Sequence, residues 1–273
     1  MPKQPNSMRH LDDAIRRICD GSMDEFLHAR TIMANAIVAN LLPSGVVKGG
    51  SAIKMRFGDA ETRFTTDLDT ATATDPEVYT EQLNVALHEG WHGFSGRVVK
   101  REPASPEDVP AKYVMQPYDV KLTYMGKAWC TVPLEVGHNE IGDAEVPDWA
   151  QLTDATSLFK SLGFPALGNV PLMPLEHQVA QKLHAVTSEG DRARDLVDLQ
   201  LIFARAEVDL KKIKQTCERL FAYRKAKVWP ATVGKQENWG TLYAEQANGL
   251  PVLESVEEAV LWTNELIDAI ANA

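Results

Sequence analysis

The sequence predicts an α+β fold in which a lobe built on a mixed sheet (residues 1–150) precedes a mostly helical lobe (151–273). Three observations carry this. Up to residue 136, short apolar or alternating runs suited to strands are interspersed with helical segments, whereas from 175 onward the apolar residues recur with helical spacing alone. A chain of 273 residues with 44% hydrophobic content is also long and apolar enough to bury a full core and form two lobes.

The punctuation sets the elements in order. Ser22-Met23-Asp24-Glu25 reads as a capping box opening a helix through about Asn40, with Phe26, Ile32, Met33, Ala36 and Ile37 among its apolar positions. Pro43-Ser44-Gly45 ends it, and Val46 to Lys48 forms a strand that presents Gly49 and Gly50. A strand carrying Asp67-Leu68-Asp69 and a helix from Pro76 to about His88 follow. Strands are then expected at 94–101, 113–124 and 128–136, the last two joined by Met125-Gly126-Lys127. A loop-rich stretch from 137 to 174 holds one short helix near 154–162. Helices at about 175–187, 193–204, 209–224, 238–247 and 256–271 complete the chain, the last opened by a second capping box, Ser255-Val256-Glu257-Glu258. There is no internal repeat and no low-complexity segment.

Composition excludes several classes. No apolar run approaches the ~20 residues of a membrane span, and Met1-Pro2-Lys3-Gln4-Pro5-Asn6 lacks a signal-peptide core, so a cytoplasmic protein is expected. Cys19, Cys130 and Cys217 are far apart without CxxC spacing, which suggests reduced thiols rather than a disulfide framework or a zinc site.

The chemistry is concentrated in Val47-Lys48-Gly49-Gly50-Ser51 and, sixteen residues after Ser51, Asp67-Leu68-Asp69. Glycines let backbone N–H groups approach phosphate oxygens closely, and Ser51 adds a hydroxyl to that cradle. Side chains alternate faces along a strand, so Asp67 and Asp69 share one face while Leu68 enters the core. Two carboxylates so placed suit a hard cation such as Mg²⁺, which combines one or two carboxylates with substrate phosphates. Taken singly, Gly-Gly-Ser is an ordinary turn and Asp-Leu-Asp an ordinary solvated edge.

Lys48-Gly49-Gly50-Ser51-Ala52-Ile53, Arg63-Phe64-Thr65-Thr66-Asp67-Leu68-Asp69, Gln181-Lys182-Leu183-His184-Ala185 and Arg192-Ala193-Arg194-Asp195-Leu196-Val197-Asp198-Leu199 together span residues 48 to 199. Their types and order resemble the polymerase-β-like nucleotidyltransferases and, within them, the AbiEii/AbiGii-type toxin family. The resemblance implies a polymerase-β-like first lobe with a mixed sheet. It also implies active-site positions at Thr65, Asp67, Lys182 and one of Asp195 or Asp198, with Asp69 as the second strand carboxylate. The helical lobe would contribute Lys182 and Asp195 or Asp198 to the cleft. The implied substrates are a nucleoside triphosphate with Mg²⁺ or Mn²⁺, and the acceptor is the 3′ end of transfer RNA, whose modification blocks aminoacylation and translation. The implied partner is an antitoxin encoded alongside; no DNA binding is expected of the chain itself.

Around this frame the residues leave alternatives. Lys182 flanks the buried stripe of Val179, Leu183 and Val186, from which its ammonium can snorkel to triphosphate oxygens. Asp195 and Asp198, at i and i+3, either orient that lysine or neutralise Arg192 and Arg194. A third carboxylate is expected near the attacking hydroxyl and the metal. Glu135, in the apolar run Val132-Pro133-Leu134-Glu135-Val136, is the candidate and Asp119 its rival.

The net charge of −10 argues against a nucleic-acid partner, but its distribution does not. Arg205, Lys211, Lys212, Lys214, Arg219, Arg224, Lys225 and Lys227 face only Glu207, Asp209 and Glu218 within residues 205–227, with Phe221, Tyr223 and Trp229 interleaved at the end. Such a segment either tracks an RNA backbone and stacks on bases or is a solvated helix face.

His88-Glu89-Gly90-Trp91-His92 matches the HExxH zinc signature, yet Gly90 reads as a helix C-terminus that places the two histidines on different elements. His184 reads as a packing residue. Three other classes stay open: a small-molecule or protein nucleotidyltransferase with an acidic acceptor pocket, a zinc hydrolase, and a non-catalytic binding protein.

Overall fold

A seven-stranded mixed sheet organises the first of two compact units, which comprises Met1–Asp59, Thr65–Asn139 and Pro147–Leu172; the second comprises Ala60–Phe64, Glu140–Val146 and Met173–Ala273. The computed structural model describes residues 2–103 and 114–273, so position 113 of the strand expected at 113–124 lies outside the described residues.

The first unit runs α1 (Met8–Ile18), α2 (Met23–Asn40), β1 (Val46–Val47), α3 (Gly49–Phe57), β2 (Leu68–Thr72), α4 (Pro76–Glu89), β3 (Phe94–Lys100), β4 (Gln116–Tyr124), β5 (Lys127–His138), β6 (Asp148–Ala150), α5 (Thr153–Ser161) and β7 (Val170–Leu172). Its strand order is β3-β4-β5-β2-β1-β7-β6. The β3-β4-β5 meander is antiparallel, β5 pairs parallel with β2, β2 antiparallel with β1, β1 parallel with β7, and β7 antiparallel with β6.

The alternation expected in β4 is present. Tyr118, Val120, Leu122 and Tyr124 are buried while Asp119 and Lys121 are half-exposed. Ser22 accepts from the N–H of Glu25 as the N-cap of α2, whose Met33 and Ile37 are fully buried in the core with Leu68, Leu134 and Val136. At one end of the sheet Phe94, Tyr124, Trp129, Phe159 and Phe164 form a ring cluster, with Phe94 4.6 Å from Tyr124 and 5.1 Å from Trp129 between centroids. Burying each such ring contributes about 1.5–3 kcal/mol, which makes this cluster a principal stabiliser of the unit.

Four elements depart from the sequence expectation. Helix α1 was not foreseen, because only Leu11 and Ile15 of its eleven residues are buried. Strands β6 and β7 fall in the stretch read as loop; three residues each are too few to display a period. The Gly49-Gly50-Ser51 turn is instead the opening of α3, where Lys48 is the N-cap.

The second unit holds α6 (Leu175–Val186), α7 (Ala193–Arg205), α8 (Leu210–Arg224), α9 (Trp239–Ala247) and α10 (Val256–Ala271). Helix α6 packs on α7 and α8, α7 on α9, and α10 on both α7 and α8. Both halves of the Ser255–Glu258 capping box form. Buried Gln200 donates to Tyr243 Oη (3.0 Å) and accepts from Leu253 N (2.8 Å), and Tyr243 donates to Leu253 O (2.7 Å), so this polar group enters the core fully satisfied. No helix among the described residues is long and apolar enough to cross a membrane. All three cysteines are free, and burial pushes the thiols of Cys130 and Cys217 up to about 12.

His184 of α6 is buried, packs edge-on against Phe221 with ring centroids 4.9 Å apart, and lies 3.2 Å from Arg224 through Nδ1. Burial, reinforced by the Arg224 guanidinium, holds its pKa down at about 4. The unfolded chain therefore takes up this proton at higher pH than the folded one. Stability should be unaffected above about pH 6.5 and fall by on the order of 1–3 kcal/mol as pH drops toward 4. Urea denaturation at pH 7 and 4.5, compared with His184→Phe, checks this; an equal pH dependence in the variant would exclude His184 as its source.

Candidate active site

The carboxylate pair of the first unit is built by the β1-α3 and β2 segments. Lys48 N donates to Asp69 O (2.8 Å), continuing the antiparallel β1–β2 ladder by one residue past Val47↔Thr70. The chain then turns at Gly49, in the left-handed region at φ 65°, and enters α3. A Cβ on residue 49 would stand 2.2 Å from Asp69 Oδ2, so the glycine is required both for its backbone angle and because the Asp69 carboxylate lies against it. No side chain caps the N-terminus of α3, and its opening N–H groups carry the partial positive charge of a helix start.

Asp67 is exposed immediately before β2, Leu68 is buried and Asp69 is half-buried, as strand alternation requires. The segment leading to Asp67 is pinned on several sides. Buried Ser51 donates its hydroxyl to Asp67 O, Asn35 Nδ2 donates to Thr66 O (3.3 Å), and Thr66 Oγ1 donates to Asp67 Oδ1 (2.9 Å). The Ser51 hydroxyl is thus spent inside the protein, where it holds the carboxylate segment. Thr65 is half-buried in the irregular stretch before it.

Glu135, exposed on β5, is the direct parallel-ladder partner of Asp69, which puts both side chains on one face of the sheet. Its rival Asp119 is engaged by Lys121 (2.8 Å) and Arg101 (3.6 Å). Among the described residues, no group of three histidine, cysteine or acidic side chains forms a metal cage. The HExxH stretch is divided: α4 ends at Glu89, Gly90 is its C-cap at φ 73°, and His92 lies beyond it at φ 45°.

In the second unit Lys182 is buried, and its ammonium donates to Asp195 (2.8 Å) and Asp198 (2.6 Å) on α7. Asp198 also receives a bidentate contact from Arg63, Nε to Oδ1 at 2.9 Å and Nη2 to Oδ2 at 3.0 Å. Burial alone lowers the Lys182 pKa, but the two carboxylates outweigh it and hold it above the ordinary lysine value. Burial likewise raises Asp198, and Lys182 with Arg63 outweighs that and holds it below the carboxylate range. Both aspartates therefore hold the lysine, and Asp195 also lies 3.9 Å from Arg192. The part of Arg63 in this network has no local sequence signal, since its partner lies 135 residues away.

The basic segment is partly consumed within the same unit. Arg219 donates to Ile141 O (2.5 Å), Arg224 pairs with Glu140, and Lys214 donates to Ala273 O (3.2 Å). Lys211, Lys212, Lys225 and Lys227 are exposed, as is Tyr223, whereas Phe221 is core.

A mixed sheet that seats the Asp69 carboxylate against a glycine-opened helix, with Asp67 just before the same strand, suits a nucleotidyltransferase lobe. The sequence profile of the family described as nucleotidyl transferase AbiEii toxin, type IV toxin–antitoxin system, matches residues 31–265, and the chain belongs to that family. The MenT4 nucleotidyltransferase toxin from Mycobacterium tuberculosis shares the fold, with a TM-score of 0.56 at 16% identity over 96% of this chain and 98% of that one. JHP933 from Helicobacter pylori matches at 0.43 and 16% identity (88% and 89% covered), and a putative nucleotidyltransferase from H. pylori at 0.43 and 17% (90% and 94%). No curated protein matched the chain.

Two outcomes follow from this geometry. Gly49→Ala must either strain the backbone or expel the Asp69 carboxylate, so transfer activity should fall at least tenfold while stability drops by only about 1–3 kcal/mol; normal activity in the folded variant would show that the seat is dispensable. Asp198→Ala leaves Arg63 unpaired by Asp198 and Lys182 with one carboxylate, and should cost about 3–5 kcal/mol in urea denaturation at pH 7. The Asp198 contribution is present at neutral pH and lost as pH falls through its lowered pKa; that of Lys182 is lost as pH rises through its raised one. A loss under 1 kcal/mol would remove the network from the stability of this unit.

Proposed function

We propose that this toxin nucleotidyltransferase moves a nucleotide from a nucleoside triphosphate to the 3′ hydroxyl of transfer RNA, using Mg²⁺ or Mn²⁺, and so blocks aminoacylation. The observation that carries the reading is Asp69 beside the uncapped start of α3, with Glu135 opposite it on the same sheet face and Asp67 two residues before it in the chain. The donors are carboxylate oxygens, which suit a hard cation; among the described residues no group of three such side chains converges on one ion, so substrate phosphates would have to complete the coordination. Asp67 and Asp69 would hold the ion, which supplies neutralisation of phosphate charge.

The acceptor oxygen bonds to the α-phosphorus, the bond from that phosphorus to the β-phosphate bridging oxygen breaks, and pyrophosphate leaves. Glu135 accepts the acceptor hydroxyl's proton. The Gly49 to Ser51 N–H groups face the phosphates, and the Ser51 hydroxyl holds the Asp67 segment in place. Lys182, Asp195 and Asp198 act by fixing Arg63, four residues before Asp67 in the chain. The RNA backbone lies along Lys211, Lys212, Lys225 and Lys227. The second reading, a small-molecule acceptor, is favoured by the internal use of Arg219 and Arg224.

Purified protein incubated with labelled nucleoside triphosphates and total RNA tests the proposal. Label should appear at transfer-RNA 3′ ends in the parent, fall by more than 100-fold in Asp67→Asn and Asp69→Asn, and weaken steeply with salt. Replacing Lys211, Lys212, Lys225 and Lys227 by Glu should flatten that salt dependence. Undiminished RNA labelling by the four-site variant would shift the acceptor to the second reading, and activity in either aspartate variant would remove that carboxylate.

A further inference from the structure

We propose that Lys48 binds the triphosphate and pyrophosphate oxygens on the carboxylate face, and that Gly137 is the position that leaves its ammonium room to do so; this rests on the nucleotidyl-transfer reading above. Lys48 lies directly opposite Asp69, because its N–H donates to Asp69 O (2.8 Å), and Asp69 lies directly opposite Glu135. Residues opposed in neighbouring strands send their side chains to the same face. The lysine and the two carboxylates thus form one row across β1, β2 and β5.

From that row the Lys48 side chain runs across to residue 137, two positions beyond Glu135 and on the same face. A Cβ there would stand 2.8 Å from Lys48 Nζ and 3.5 Å from its Cε. Residue 137 is Gly, paired with small Ala71, so the floor beneath the lysine stem is flat. Lys48 is half-buried, yet no salt bridge or side-chain hydrogen bond engages its ammonium among the described residues. By contrast, the Lys182 ammonium already holds two carboxylates. A half-buried ammonium that engages no protein carboxylate is placed to take a ligand anion. In a nucleotidyltransferase that anion is a phosphate, where lysine acts as a point charge.

The test measures binding of Mg²⁺-pyrophosphate and of a nonhydrolysable nucleoside triphosphate by calorimetry, in the parent, Lys48→Met, Lys48→Arg and Gly137→Ala. Loss of the ammonium should weaken both ligands about 10- to 100-fold. Arg should restore part of that affinity, and Gly137→Ala, which keeps the charge but displaces it, should weaken both severalfold with an unchanged melting temperature. Mg²⁺ alone should bind Lys48→Met at least as well as the parent, since a cation has been removed from beside the carboxylates. Parental pyrophosphate affinity in folded Lys48→Met, or, if that variant fails to fold, in Gly137→Ala, overturns the assignment while leaving the function intact. A parent that binds neither ligand overturns the nucleotidyl-transfer reading and this assignment together.

Discussion

The approach of the Asp69 carboxylate to residue 49, so close that it leaves no room for a Cβ, is the constraint on which the candidate site of the first unit depends. It requires β1 to end, the chain to pass through a left-handed residue and α3 to begin within two positions, so that a helix start and a strand acid share one small volume. The partial positive charge of a helix N-terminus and a carboxylate beside it stabilise each other, and a metal-bound phosphate needs to meet both. The Ser51 and Asn35 hydrogen bonds then serve one end: they keep the loop before β2 from carrying Asp67 away from that volume.

Much of this was legible because the responsible forces are local. Ser22 and Ser255 cap their helices as their neighbours predict, and alternation along β4 reports a half-buried sheet. The order of the motif blocks was enough to indicate the family. What stayed hidden is non-local. Gly49 and Gly50 have low helix propensity, so they read as a turn although the segment through Phe57 is helical; the tertiary seat of Asp69 overrides propensity. That Lys182 holds both Asp195 and Asp198, 13 and 16 residues on, is decided only when α6 packs on α7. Likewise, Phe221 looked available for stacking until α8 turned it into the core against His184.

The helical unit shows how charge is accommodated where water is excluded. Four ionic side chains, Arg63, Lys182, Asp195 and Asp198, meet in it, and their alternation of sign is what allows burial at all. Such a cluster contributes little net stability relative to apolar packing but tolerates almost no partial substitution, because each member's desolvation is offset only by the others. Its value is geometric: a guanidinium gripped at two oxygens has one orientation.

The sheet has a further property at its margins. Among the described residues one border is β3, whose outer positions include Arg97 and Lys100, and the other is the three-residue β6. A foreign strand extending the β3 side meets the exposed Arg97 and the Lys100–Glu77 ion pair, and on the β6 side it finds a template of only three residues. Both edges thereby disfavour copies of this chain joining strand upon strand into a continuous sheet.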